Sequence, residues 1–267
     1  MAREIVKNLK FKKYTGEFDA EAFGKLLDEA YLATKRPDGE MQKKSFSPSS
    51  FGYGNGNCPR YWYMAFKGAY FIDSNDAQAV ANMKYGTEAH ERLQDLIKSK
   101  ASDLFQTTQI KSVETEVEIK NEYPPIRGFI DLVMDWDGTQ VIGEIKTAKQ
   151  EVWDTKQSEM KASANHTLQI LTYMKLKEVD EGFFVYENKN TQELLIMPIQ
   201  MNEKNKAVID ELFVWLCEVY DNYKEGDLPM RPYTKSSYTC KNCPVKKDCW
   251  SREIGTAQIE PYEVPKV

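Results

Sequence analysis

Three consecutive strand-like segments, the last of which carries charge where a sheet core would lie, restrict this chain more than any other feature. Ser112–Lys120, Ile126–Trp136 and Thr139–Thr147 all read as strands. The first alternates Val113, Thr115, Val117 and Ile119 with Glu114, Glu116 and Glu118, the period of two that a half-buried strand requires. Asp135–Gly138 supplies the turn between the second and third. The third contains Val-Ile-Gly-Glu144-Ile145-Lys146-Thr, apolar at its flanks but charged at two positions. Residues two apart on a strand share a face, so Glu144 and Lys146 point together while Ile145 turns the other way into the core. Burying charge is costly unless it is paired or bound to metal. Asp131, on the neighbouring strand of the hairpin, brings a second carboxylate beside Glu144. Two carboxylates on rigid strands suit a hard divalent cation such as Mg2+ or Mn2+. A lysine beside that cation can orient or deprotonate a water, or neutralise a phosphate. The bland alternative is an exposed Glu144–Lys146 pair on a half-buried strand, and the E-x-K spacing alone does not separate the two.

The remaining segments set this meander among helices. Asp19–Thr34 is amphipathic, with Asp19 placed to cap it. Arg36–Lys44 reads as a loop. Ser47-Pro48 suits the start of a helix, which Gly52, Gly54 and Gly56 must then break. Helices follow at Arg60–Lys67, which is aromatic, and at Asp76–Lys100, which holds Gly86 and His90 as G-x-x-x-H. A further helix over Lys161–Glu178 precedes strands at Gly182–Asn188 and Glu193–Gln200. A helix over Glu203–Lys224 leads to a cysteine-rich segment, and Gly255–Val267 reads as a tail. No internal repeat or low-complexity tract is found. The expected class is α/β, with a mixed sheet flanked by helices.

With 36 basic against 41 acidic side chains, the chain carries a net charge of −5. That lowers the case for a protein that coats duplex DNA, since phosphate binding draws on clustered Lys and Arg. It leaves room for a nuclease with a local basic channel. Lysine is dense at Lys10, Lys12 and Lys13 and again around Lys146, Lys149, Lys156 and Lys161, and each run is either a solvated face or part of such a channel. Tyr61, Trp62, Tyr63 and Phe66, beside Arg60 and Lys67, either stack bases or belong to the core. No stretch reaches the ~18 apolar residues of a membrane span, and the basic N-terminus has no apolar run behind it as a secretory signal would. An intracellular, cytoplasmic protein is expected. Five cysteines, an odd number, argue against a disulfide framework there. The C-x2-C-x5-C spacing of Cys240, Cys243 and Cys249 points instead to a metal or cluster site.

Taken together, Gly86-x3-His90, Gly128-x2-Asp131, Glu144-x-Lys146 and Gln169-x3-Tyr173, in that order, resemble the PD-(D/E)xK nuclease superfamily, and within it the RecB-like and Cas4-like branch. Cys58-Pro59 before the core and Cys240-x2-Cys243-Pro-x4-Cys249 after it resemble the iron–sulfur nucleases of the Cas4 and AddB type. The resemblance spans about Ser47 to Trp250 and implies a restriction-endonuclease-like core. It implies metal binding by His90, Asp131, Glu144 and the backbone carbonyl of Ile145, with Lys146 acting on the attacking water. Gln169 and Tyr173, one helical turn apart, would steady Lys146 and contact DNA. The competing reading makes His90 a packed helix residue and places Tyr173 in a core stripe with Leu168 and Leu171. His166 reads as bland, and Glu114, Glu116 and Glu118 compete for an additional acidic position.

Four thiolates hold either zinc or an iron–sulfur cluster. Zinc ligands usually come in two close pairs, so the remote Cys58 favours [4Fe–4S] over Zn2+, as a staple between the chain's two ends. Cys217, inside the apolar Leu212–Val219 run, reads as a buried core thiol. The expected division is an N-terminal helical extension at 1–45, outside the resemblance, one nuclease domain at 46–255 and a tail at 256–267. The resemblance implies an exonuclease acting on single-stranded DNA ends, 5′ to 3′, in recombination, repair or DNA processing, with recombination or CRISPR-adaptation proteins as partners. The rivals are a non-catalytic DNA-end-binding or redox-sensing scaffold subunit and a zinc-stapled structural protein. The glycine-rich Phe51–Asn57 departs from the regular helix of that branch, as a flexible lip or the mark of a divergent subfamily.

Overall fold

The computed structural model describes residues 17–104 and 109–264, with backbone alone for 99–104. The lysine run at Lys10–Lys13, the first residues of the N-terminal extension and the last three of the expected tail lie outside the described residues.

Helix α1 (Ala20–Ala33) starts where Asp19 accepts the N–H of Ala22, the cap its sequence predicts. Strand β1 (Gly39–Met41) pairs with β2 (Ala69–Phe71), and α2 (Pro59–Lys67) lies between them in the chain. The long helix α3 (Ala77–Leu104) crosses one face of the main sheet. That sheet holds β3 (Ile110–Asn121), β4 (Ile126–Trp136), β5 (Thr139–Ala148), β6 (Glu181–Asn188) and β7 (Leu194–Gln200), neighbours in that order. All pairs are antiparallel except β5 with β6. A parallel pair needs a long crossover, and α4 (Gln150–Glu159) with α5 (Ala164–Lys177) provides it. Helix α6 (Glu203–Glu225) and two short helices, α7 (Tyr238–Lys241) and α8 (Lys246–Ser251), complete the described fold.

β5 and β6, at the middle of the sheet, are its most buried strands, and both faces are covered. On one side Ile130, Val133, Ile142, Phe184 and Tyr186 join residues of α2, α5 and α6 in the main core. On the other, Leu93 of α3 packs on Leu132, Ile145 and Val185. The main core runs from Phe46 to Tyr262, so the chain from the expected nuclease boundary to its far end folds around one centre.

The structure settles one open alternative, that of the aromatics on α2, and departs from the sequence reading elsewhere, as at β1 inside the segment read as a loop. The helix expected over Lys161–Glu178 starts at Ala164, and the separate helix α4 precedes it. α4 escapes a sequence reading because it buries little beyond Trp153 and the Lys156 stem, leaving a polar sequence with no apolar stripe. The broken helix after Ser47 is two single turns of 3-10 helix, Pro48–Ser50 and Gly54–Asn57. A Cβ at Gly56 would stand 1.7 Å from the Ser50 carbonyl oxygen, so only glycine fits that fold-back. Tyr61, Trp62, Tyr63 and Phe66 are all buried, which makes them core rather than a base-stacking surface. Gly255–Val264, read as a tail, packs onto the core instead: Ile259 and Tyr262 are buried, and Trp215 Nε1 donates to the Glu260 carbonyl at 2.8 Å. Among the described residues, no helix is long and apolar enough to cross a membrane.

Candidate active site

The site forms where β4 and β5 separate. Their ladder ends at the Leu132–Gly143 pair, and past it the Asp131 side chain reaches over the fork, where Oδ2 accepts the Ile145 N–H at 2.7 Å. Asp131 and Glu144 are therefore held by sheet geometry rather than by a loop. His90, on α3, puts Nδ1 3.5 Å from the same Asp131 oxygen. From the opposite face, α5 delivers Gln169 and Tyr173. Gln169 Nε2 donates to Glu144 Oε1 at 2.6 Å and stands 3.4 Å from the Tyr173 hydroxyl. Lys146 Nζ donates to Glu144 Oε1 at 2.6 Å and to Gln169 Oε1 at 3.2 Å. The glycine of G-x-x-D has a steric reason here: a Cβ at Gly128 would lie 2.8 Å from the Tyr173 hydroxyl. His90, Asp131, Glu144, Ile145, Lys146, Gln169 and Tyr173 thus converge from four elements.

Glu144 is 1% exposed, and its second oxygen, Oε2, has no hydrogen-bond partner. Burial pushes its pKa up. Asp131 and Glu116 push the same way, while Lys146 pulls it down. An unpartnered buried acceptor costs about 1–3 kcal/mol. A cation facing Oε2 would remove that cost, so the donor set fits a hard divalent ion. Among the described residues, no group of three or more His, Cys, Asp or Glu side chains closes to metal-binding geometry.

One of the three competing glutamates of β3 turns to the site. Glu116 lies opposite Asp131 between the Thr115–Leu132 and Val117–Ile130 pairs, with φ at +52°. Gln94 Nε2 bridges its carboxylate at 2.7 Å to the Asp131 carbonyl at 3.1 Å. Glu118 is occupied by Arg127 and Lys120 at the surface. Sequence reasoning overlooks Gln94, whose only signal is lying one helical turn beyond His90. His166 bonds the Tyr186 hydroxyl through Nδ1 at 2.7 Å. Desolvation, reinforced by Lys146 and Lys156, pushes its pKa down to about 3, so it is a neutral partner to the Lys146 neighbourhood.

The cysteine segment lies apart from this fork. The Cys58 thiol is pushed up to about 12, chiefly by burial, with Cys249 and Cys240 also raising it. Cys243 is likewise pushed up to about 12, with Cys58, Cys249 and Cys240 contributing. Arg60, 1% exposed, donates from Nε to Cys249 Sγ at 3.1 Å, and its terminal nitrogens reach the carbonyls of Pro229, Glu253 and Ile254. Cys217 is only partly buried, at the edge of α6 beside Tyr123, rather than a core thiol.

The model of the PD-(D/E)XK nuclease superfamily matches residues 73–250, which contain His90, Asp131, Glu144, Lys146, Gln169 and Tyr173. The chain belongs to the PD-(D/E)XK nuclease superfamily. Nucleases of this superfamily usually use Mg2+ or Mn2+, in keeping with the oxygen-rich fork. No curated protein sequence matches the chain significantly. Among solved structures, it is similar to LHK-Exo, an alkaline exonuclease from Laribacter hongkongensis. The identity is 13%, the TM-score 0.46, and the match covers 75% of this chain and 95% of that one. It is similar to SSO0001 at 16% identity and TM-score 0.43, over 84% and 91% of the two chains. A phage-related exonuclease from Haemophilus somnus 129PT matches at 13% identity and TM-score 0.31, over 52% of this chain and 82% of that one.

Proposed function

We propose that this PD-(D/E)XK protein is a metal-dependent exonuclease that hydrolyses single-stranded DNA from its ends, in the 5′ to 3′ direction, during DNA recombination or repair. The observation that carries the catalytic part is the arrangement around Glu144. One oxygen is shared by Lys146 and Gln169, and the other is buried and unpartnered in a carboxylate that feels the Asp131 charge. A non-catalytic scaffold has no use for this arrangement, because it leaves a buried carboxylate oxygen without a hydrogen-bond partner. His90, Asp131, Glu144 and the Ile145 carbonyl would hold Mg2+ or Mn2+, which would supply Lewis-acid activation of the phosphate and of water. Lys146, fixed by Glu144 and Gln169, holds the attacking water and takes or orients its proton. Tyr173 and Gln169 also line a pocket of about 460 Å3 with Ser45, Ser47, Ser49 and Arg127. That pocket offers hydroxyl and guanidinium donors for a phosphate of the strand.

The cysteine segment carries a [4Fe–4S] cluster on Cys58, Cys240, Cys243 and Cys249, as in the Cas4-like branch. Arg60 supports this reading. It is a buried guanidinium that meets carbonyls and one cysteine sulfur but, among the described residues, no carboxylate, and a four-thiolate cluster would supply the negative charge it lacks. Its role is to fasten the C-terminal segment to the start of α2, away from the hydrolytic fork.

The test is digestion of end-labelled single-stranded and duplex DNA with and without Mn2+. Metal-dependent release of short products from the 5′ end of single strands is expected. Intact DNA with purified, brown protein in both Mg2+ and Mn2+ would overturn the reading, and products from the 3′ end alone would overturn the polarity.

A further inference from the structure

On the α3 face of the sheet, one residue beyond the catalytic lysine, lies a second charged group that the hydrolytic fork does not use. β5 and β6 run parallel, with Lys146 beside Tyr186 and Thr147 beside Glu187. Glu187 points to α3 and is 1% exposed. Its Oε2 pairs with Arg92 of α3, and its Oε1 accepts the Tyr85 hydroxyl at 3.3 Å. Tyr85 and Arg92 are seven residues apart, two helical turns, and so lie on one stripe of α3 alongside the Gly86–His90 stripe. Arg92 pairs with Glu187 across the sheet rather than with Glu88 one turn before it.

The pair is lopsided. The carboxylate is fully buried while the arginine side chain is 52% exposed. A guanidinium carries five N–H donors in a rigid fork. Pairing with Glu187 through one terminal nitrogen leaves the outward donors oriented and free for an anion. Lys189 extends the same edge: its ammonium lies 5.3 Å over the Tyr85 ring, and its backbone N–H donates to the Ala148 carbonyl. Lys149 is near enough that its charge helps hold the Lys189 pKa down, after burial. Arg92 of α3 thus rests on the buried Glu187 and Lys189 on Tyr85, with Lys149 beside Lys189 just past the end of β5.

Resting on the nuclease reading above, we infer that Arg92, Lys189 and Lys149 form a phosphate-binding edge for the DNA single strand that leads into the fork, with Glu187 and Tyr85 as positioning residues. A rail of this kind fixes the register of the strand relative to Lys146 but takes no part in bond cleavage.

The test is binding of a fluorescent single-stranded oligonucleotide, measured by anisotropy in EDTA over a salt series, for the full chain and its variants. Every phosphate that a variant no longer neutralises on a single strand lowers the log–log salt slope by about 0.7. Lys189→Gln and Lys149→Gln touch neither Glu187 nor the catalytic fork, and each should lower the slope by about that amount and weaken binding roughly three- to tenfold. Arg92→Met alone would strand Glu187, so it is combined with Glu187→Leu, which removes both partners of the pair. That double variant should melt near wild type yet lose slope and affinity in the same way. Unchanged slopes in all three variants, with wild type binding normally, would overturn the inference and leave the nuclease reading standing. Failure of the wild-type protein to bind DNA at low salt would overturn both.

Discussion

The fork of β4 and β5 and the cluster we propose on the cysteine segment both call on side chains that are costly to bury, but by opposite means. In the fork, Asp131, Glu144 and Lys146 come from two adjacent strands, and a backbone N–H already holds one carboxylate. The geometry is set by a sheet that forms whether or not a metal arrives. In the proposed cluster, Cys58 would meet three residues from far along the chain, and Arg60 bonds Cys249 Sγ and the carbonyls of Pro229, Glu253 and Ile254. There the group depends on chain closure. Removing a side chain should therefore abolish chemistry without unfolding at the first site, and unfold before it abolishes chemistry at the second.

The sharpest way to break that contrast is Asp131→Ala or Glu144→Ala. Each should reduce DNA hydrolysis by at least about 1,000-fold, since a lost ligand weakens both cation binding and phosphate activation. Neither should lower the melting temperature of the metal-free protein. Substantial hydrolysis by either purified variant with Mg2+ or Mn2+ would remove the fork from the chemistry.

Cys58→Ser and Cys243→Ser are the mirror-image variants. They should bleach the brown colour, with its broad visible absorbance, and lower the melting temperature by roughly 10 °C, the shift made by about 3 kcal/mol in a chain of this size. A colourless wild-type protein that contains zinc by elemental analysis would replace the cluster with a zinc staple.

Metal-free stability should distinguish the two regions again as pH rises. Burial raises the Glu144 pKa in the fold, so the folded state binds more protons than the unfolded state there. By linkage, stability is present at low pH and is lost as pH rises from the ordinary carboxylate range through the raised value. Glu144→Gln should flatten that dependence, read as melting temperature against pH in EDTA. A wild-type curve that rises over the same window would contradict the assigned environment of Glu144. A smaller effect is expected from Gly128→Ala. Its new Cβ must displace the Tyr173 hydroxyl, so the turnover rate should fall severalfold with little change in melting temperature.

Much of this architecture is legible in the sequence. Period-two alternation locates β3, and an apolar strand bearing Glu144 and Lys146 identifies the place where charge needs a reason. The resemblance to the PD-(D/E)xK pattern singles out His90, Gln169 and Tyr173, and the fold brings them to the same fork. What stays hidden depends on contacts distant in sequence. The positive φ of Glu116, the Gln94 bridge and the Arg92–Glu187 pair exist only because α3 lies across the sheet. The packed C-terminal segment has no helical or strand periodicity to betray it; its hold on the core comes from Ile259, Tyr262 and a backbone bond from Tyr262 to Asn57. α4 is equally silent, because a helix that covers a crossover with one tryptophan leaves no stripe.

The central claim is that Lys146 acts on the water rather than merely attracting DNA. It is tested most directly by single-turnover cleavage of end-labelled single-stranded DNA at saturating protein with Mn2+, comparing wild type with Lys146→Ala, alongside DNA affinity in EDTA over several salt concentrations. The cleavage rate should fall by about 100-fold or more, with affinity and salt slope near wild type. A Lys146→Ala protein that binds weakly, with a salt slope lower by about 0.7, but cleaves at the wild-type rate once saturated would contradict the claim and make Lys146 a phosphate anchor.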